Sequence, residues 1–169
     1  MKEFNYALWL LPENYTELKK HTNNFGPHIT LHENLTLEEA KRYFIIYENL
    51  LHNQKISFKN TLTYANIDDF YFTFFKCNFI YDFNINKKYK KILKQILPDN
   101  PRLSVKYKYM PFTEHERKYL SEIKLPKINT LTRMCIFNCN NHFKRWKLVK
   151  ETKLKNMNEI LKINNDFKN

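Results

Sequence analysis

A chain of 169 residues with 43% hydrophobic residues has material for one core, so a single domain is expected. Its 29 Lys and Arg against 17 Asp and Glu leave a net charge of +12, which favours anionic partners such as phosphates. The single glycine, Gly26, excludes the Gly-rich loops of P-loop and dinucleotide-binding folds.

No run approaches the roughly 20 apolar residues of a membrane span. The stretch Tyr6–Leu11 is too short for a signal-peptide core, and Glu3 stands where positive charge is expected. The three cysteines, Cys77, Cys135 and Cys139, are too few and odd in number for a disulfide framework. An intracellular, cytoplasmic protein with reduced thiols and no membrane partner is therefore expected. The many Asn and Lys beside one Gly also fit an AT-rich coding sequence, as many viruses or parasites have, so composition is a second source of the charge.

In chain order, Phe4–Leu11 reads as a strand ended by Pro12. Thr16–Asn23 is a helical turn or loop, and Phe25–Leu31 is a second strand opening on the Gly26-Pro27 turn. Thr36 caps a helix, with Glu39 at capping-box spacing and Leu37, Ala40, Tyr43, Phe44, Tyr47 and Leu51 on one side. Lys55–Tyr64 and Phe70–Phe79 form a hairpin across Asn66–Asp69. Lys87–Leu97 is a basic amphipathic helix stopped by Pro98 and Pro101; Leu103–Tyr109 is a strand and Thr113–Glu122 a short helix. Lys127–Asn138 and Arg145–Lys153 close the domain as a hairpin, and Lys153–Ile163 reads as a terminal helix. The order predicts an α+β domain over 1–153, with two antiparallel sheets and helices outside, and a helical extension over 154–169.

Two segments carry chemistry. Tyr6-Ala7-Leu8-Trp9-Leu10-Leu11-Pro12, followed by Phe25-Gly26-Pro27-His28-Ile29-Thr30-Leu31, resembles the opening of the 2H phosphoesterases, in particular the cyclic-phosphodiesterase type. The second motif of that family, Pro-His-Leu-Ser with Tyr downstream, is matched in degenerate form by Pro101-Arg102-Leu103-Ser104-Val105-Lys106-Tyr107. The hairpin and the closing Arg133…Trp146-Lys147-Leu148-Val149 blocks follow in the family's order, so the resemblance covers residues 4–153. It implies a two-lobed fold around a cleft and metal-free, cofactor-free chemistry on 2′,3′-cyclic phosphates, RNA ends, 2′–5′ linkages or cyclic dinucleotides. It also implies that His28 is catalytic, and that Trp9 and Tyr107 line the cleft near the nucleotide.

Strand parity adds to this. Side chains two apart share a face, which groups His28 with Thr30 and His32, and Arg102 with Ser104 and Lys106. Hydrolysis of a cyclic phosphodiester needs a base for water and an acid for the leaving alkoxide, and a histidine pair does both near neutral pH. Thr30 and Ser104 would hold the nonbridging oxygens, with Lys106 beside them.

Arg102 breaks the pair. A guanidinium stays charged and cannot serve as a base, though it binds phosphate bidentately. Three outcomes stay open: an impaired enzyme that still binds nucleotides, replacement of the lost base by His32 (or by His115 or His142), or a reaction needing one histidine. His21 and His52 have no motif around them and default to the surface. Cys135 and Cys139 share a strand face and read as small buried apolar residues, since two thiols make a poor zinc site. The run Lys87–Lys91 around Tyr89 reads either as a nucleic-acid contact or as a solvated helix face. The expected partner is a nucleotide or RNA phosphodiester bound by a monomer; the rival classes are a non-enzymatic nucleotide- or RNA-binding module and a protein-interaction scaffold.

Overall fold

The computed structural model describes residues 3–22, 26–51, 54–67, 70–140, 143 and 146–154. β1 (Tyr6–Pro12) is buried on both faces from Ala7 onward, which is why its sequence is a continuous apolar run rather than an alternation. Leu8 and Leu10 enter the main core, while Ala7, Trp9 and Leu11 join Cys135 in a smaller cluster. α1 (Tyr15–Thr22) follows as a helix, and β2 (His28–Leu35) starts at the motif histidine and runs beyond Leu31. α2 (Leu37–Glu48) is capped by Thr36, whose hydroxyl accepts the Glu39 amide at 3.1 Å, and it buries Ala40, Phe44 and Tyr47.

β3 (Lys55–Ile67) and β4 (Phe70–Ile80) form the expected hairpin. α3 (Lys87–Ile96) is capped by Asn86 and ends at Leu97, which is extended as a residue before proline must be. β5 (Arg102–Lys108) and α4 (Glu114–Ser121) come next; in α4 the Thr113–Glu116 capping box is complete. β6 (Ile128–Asn138) and β7 (Lys147–Lys153) close the domain, β7 with an exposed, charged outer face that suits an edge strand. Leu154 is buried, and its amide donates to the Thr132 carbonyl at 2.7 Å. The rest of the expected terminal helix and extension lies outside the described residues.

The strands pair antiparallel in the order β1-β2-β5-β4-β3-β6-β7, and a further β1–β6 ladder closes the ring. The two expected sheets are its two halves, β2-β1-β6-β7 and β5-β4-β3. Two short seams join them: His28 and Ile29 opposite Ser104 and Leu103, and Lys55–Ser57 opposite Ile128–Thr130. One continuous apolar core runs through both halves and takes in α2 and α3, with Phe44, Phe75, Leu8, Leu10, Ile56 and Leu103 among its fully buried members. The architecture is α+β, with an antiparallel sheet forming a barrel-like cleft. Among the described residues no helix is long and apolar enough to cross a membrane.

Two one-residue irregularities decide which side chains reach the cleft. Between β1 and β2, Trp9 pairs with Thr30 but Leu8 pairs with His32, so Leu31 is an extra residue. Between β4 and β5, Phe74 pairs with Ser104 but Thr73 pairs with Lys106, so Val105 is extra. Such bulges reverse the inside–outside alternation beyond them.

Candidate functional site

On the face bearing Trp9 and Cys135 lies a cavity of about 720 Å³ lined by Trp9, His28, Thr30, Arg102, Ser104 and Tyr107. Phe70, Phe72, Cys139 and Trp146 complete much of its wall, and Pro98, Asn100 and Pro101 lead into it from the end of α3. The structure thus brings together six of the side chains expected at the site.

His28 is 1% exposed and sits on the β2–β5 seam, opposite Ser104. Its ring stacks on Trp9, with centroids 3.5 Å apart and planes 9° from parallel. Trp9 also stacks on Phe137 at 4.1 Å and meets the edge of Trp146 at 5.5 Å. Nδ1 of His28 lies 3.0 Å from the Gly26 carbonyl oxygen. A carbonyl only accepts, so Nδ1 carries the proton and the ring lone pair falls on Nε2. Burial pushes the imidazole pKa down to about 3, and the Gly26 bond offsets this only in part. His28 is therefore neutral at pH 7: it offers a lone pair, but scarcely ever a proton.

Tyr107 faces His28 with ring centroids 6.3 Å apart and meets Trp146 edge-on at 5.4 Å. Burial raises its hydroxyl pKa to about 12, while a hydrogen bond with the Ser104 side chain works the other way. Arg102 is exposed at the rim, its guanidinium 4.6 Å from the centre of the Phe74 ring. This placement leaves its charge beside the cavity without a desolvation cost, and Thr30 stands half-buried across from Trp9.

Two expectations fail here, both because of the bulges. Lys106 does not join Arg102 and Ser104: past Val105 it pairs with Thr73 and reaches Glu116 of α4, 3.7 Å away. Lys108 meets the same carboxylate; burial alone would raise the Glu116 pKa, but the hydrogen bonds from Lys108 and from Thr113 outweigh it and depress it to about 2. His32 does not stand beside His28 as a replacement base. Past Leu31 its ring turns to α2, where Nε2 lies 2.8 Å from the Tyr47 hydroxyl and the ring stacks on Tyr43 and Tyr47. The residue reaches only the cavity lining, and burial lowers its pKa.

Of the other histidines, His115 is exposed on α4, His21 bonds Tyr119 at 3.2 Å, and His52 and His142 lie outside the described residues. Parity alone would have put Tyr107 in the core; the Val105 bulge turns it into the cleft, opposite Phe72. Phe70, Phe72 and Trp146 are wall residues that the sequence reading did not assign. The signal was present in the alternation Phe70, Phe72, Phe74 along β4. Among the described residues, no three His, Cys, Asp or Glu side chains gather as metal ligands would.

No protein-family model matches the chain, and no curated protein does. Among solved structures it is similar to the crystal structure of E. coli LigT complexed with ATP, with a TM-score of 0.45 and 8% identity over 92% of this chain and 99% of that one.

Proposed function

We propose that the cleft binds a phosphodiester or cyclic phosphate on a nucleotide or RNA end, as a phosphodiesterase-like site in which hydrolysis is impaired. The observation that carries this reading is the seam itself: a tautomer-fixed, neutral His28 directly across from Ser104, with Arg102 at the rim of a cavity walled by aromatic rings. The volume of about 720 Å³ suits a nucleotide. Trp146, Tyr107 and Phe72 supply ring edges and faces for a base, while Arg102, Thr30 and Ser104 supply donors for phosphate oxygens.

The chemistry is lopsided. Nε2 of His28 can accept a proton from water attacking a cyclic phosphate. The departing ribose oxygen then needs a proton, and the position that would give it holds a guanidinium. Loss of an acid or base costs about 10²–10⁴-fold in rate. Binding without turnover is therefore the dominant behaviour, and a non-enzymatic nucleotide-binding role is the limiting case of the same site.

The test is turnover and equilibrium binding of 2′,3′-cyclic mononucleotides, 2′–5′ oligoadenylates and cyclic dinucleotides by the natural chain, Arg102→His and His28→Ala. The expected result is saturable binding by the natural chain, and turnover that rises with Arg102→His and vanishes with His28→Ala. If none of the three proteins binds or turns over any of these ligands, the phosphodiester reading is wrong.

A further inference from the structure

α3 departs from the other described helices in its charge. α1, α2 and α4 each place Glu in the first turn, where the positive end of the helix dipole favours it. α3 has no acidic residue there and begins with Lys87 and Lys88 instead. Lys90, Lys91 and Lys94 follow, so like charges recur at spacings of three and four, as Lys87–Lys90, Lys87–Lys91 and Lys90–Lys94. Both features oppose helix formation.

Packing does not call for them either. The fold holds this helix through Tyr89, Leu93 and Ile96 on its other side. Lys87, Lys88, Lys91 and Lys94 are exposed, and none of them is in an ion pair among the described residues. Lys90 and Lys94 only lie over the Tyr81 ring, 5.9 and 5.7 Å from its centre. Phe83, in the turn just before the helix, is 99% exposed.

The patch leads to the cleft. From Ile96 the chain runs through Pro98, Asn100 and Pro101, all cavity-lining, to Arg102, at most about 20 Å of chain. Arg102 pairs across the β4–β5 ladder with Lys76, also exposed, which adds a second cation at the rim. An anionic membrane is the poorer fit. A helix lying on lipid must offer it an apolar side, and that side of α3 is already committed to the core. A flexible chain of phosphates needs only the exposed lysines, with Phe83 as a place for a base to stack.

We infer that the α3 lysines anchor the backbone of a single-stranded polynucleotide, so that the preferred ligand is a strand of several nucleotides rather than a free mononucleotide. That its end enters the cavity rests on the phosphodiester reading above; the anchoring itself does not.

The test is binding of a single-stranded RNA of about ten nucleotides across a salt series. The proteins are the natural chain, the quadruple variant Lys87→Gln, Lys88→Gln, Lys91→Gln, Lys94→Gln, and Arg102→Gln. Gln is nearly as good a helix former as Lys, and circular dichroism checks that the variant is folded. Each lysine that neutralises a phosphate contributes about 0.7 to the slope of log affinity against log salt. The quadruple variant is expected to lower the slope by up to about 3. Between 50 and 200 mM salt the natural chain would then lose roughly 50-fold more affinity than the variant. Binding of a 2′,3′-cyclic mononucleotide is expected to be the same in both.

An unchanged slope, or an oligonucleotide bound no more tightly than the mononucleotide, overturns the inference. So does lysine-dependent binding to phosphatidylserine vesicles by a chain that ignores the RNA. A slope that falls in the quadruple variant while Arg102→Gln leaves RNA affinity untouched supports the α3 anchor and sinks the cleft reading instead.

Discussion

Acidification is expected to destabilise this protein through His28. In the folded chain burial holds its pKa at about 3, against an ordinary value of 6.5. Below pH 6.5 the unfolded chain takes up a proton at this position that the folded chain refuses. Stability therefore falls as pH drops from about 6.5 towards 3, and is fully present above 6.5. Between pH 7 and pH 5 the two titrations differ by about 2 kcal/mol. With a urea dependence of about 2 kcal/mol per molar, that moves the unfolding midpoint by roughly 1 M. The control is His28→Asn, whose amide keeps a donor near the Gly26 carbonyl and has no proton to gain. His32, also depressed by burial, contributes in the same direction to both proteins and cancels in the comparison. The measurement is the urea midpoint of both proteins at pH 7, 6 and 5. If the natural chain and His28→Asn lose stability in parallel over that range, the buried, neutral imidazole is refuted.

Three further outcomes follow from the geometry. Lys106→Gln is expected to leave nucleotide affinity unchanged and to cost less than about 1 kcal/mol of stability, whereas Arg102→Gln weakens phosphate binding roughly tenfold; calorimetric titration of both variants separates the faces that the Val105 bulge assigns. A methyl group at Gly26 would overlap the Tyr15 ring. Gly26→Ala is therefore expected to lose about 1–3 kcal/mol in urea unfolding and to weaken ligand binding, because the carbonyl that fixes the His28 tautomer moves with the backbone. Phe44→Ala, at a fully buried position between α2 and the sheet, is expected to cost about 3–5 kcal/mol in the same assay while leaving the salt slope of RNA binding intact.

Apart from α1, which read equally as a turn or loop, the described elements and their order were legible because each had a local signal. The two-sided apolar run of β1, the caps at Thr36 and Thr113, and the proline after Leu97 all act within a few residues. The His28 and Ser104 motifs were also legible, and the fold sets them directly across one seam. What the sequence hid was the pair of bulges. One extra residue at Leu31 or Val105 changes neither composition nor propensity, because it follows from the register between two distant strands. That single cause misplaced both Lys106 and His32. Tyr107 was expected in the cleft from its motif and against strand parity; the bulge at Val105 reconciles the two. Cys135 and Cys139 do fall in one apolar cluster, as their spacing suggested.

The narrowness of the β2–β5 seam has a consequence for how the cleft responds to occupancy. Among the described residues two pairs bridge the halves there, and one of them is His28 with Ser104. A ligand that wedges the halves apart at this point also lets water reach the imidazole, and hydration restores the proton affinity that enclosure removes. An arriving phosphate adds negative charge beside the ring and pushes in the same direction. Entry of the anion then strengthens Nε2 as a base, so the occupied cleft would hold a more basic imidazole than the empty one.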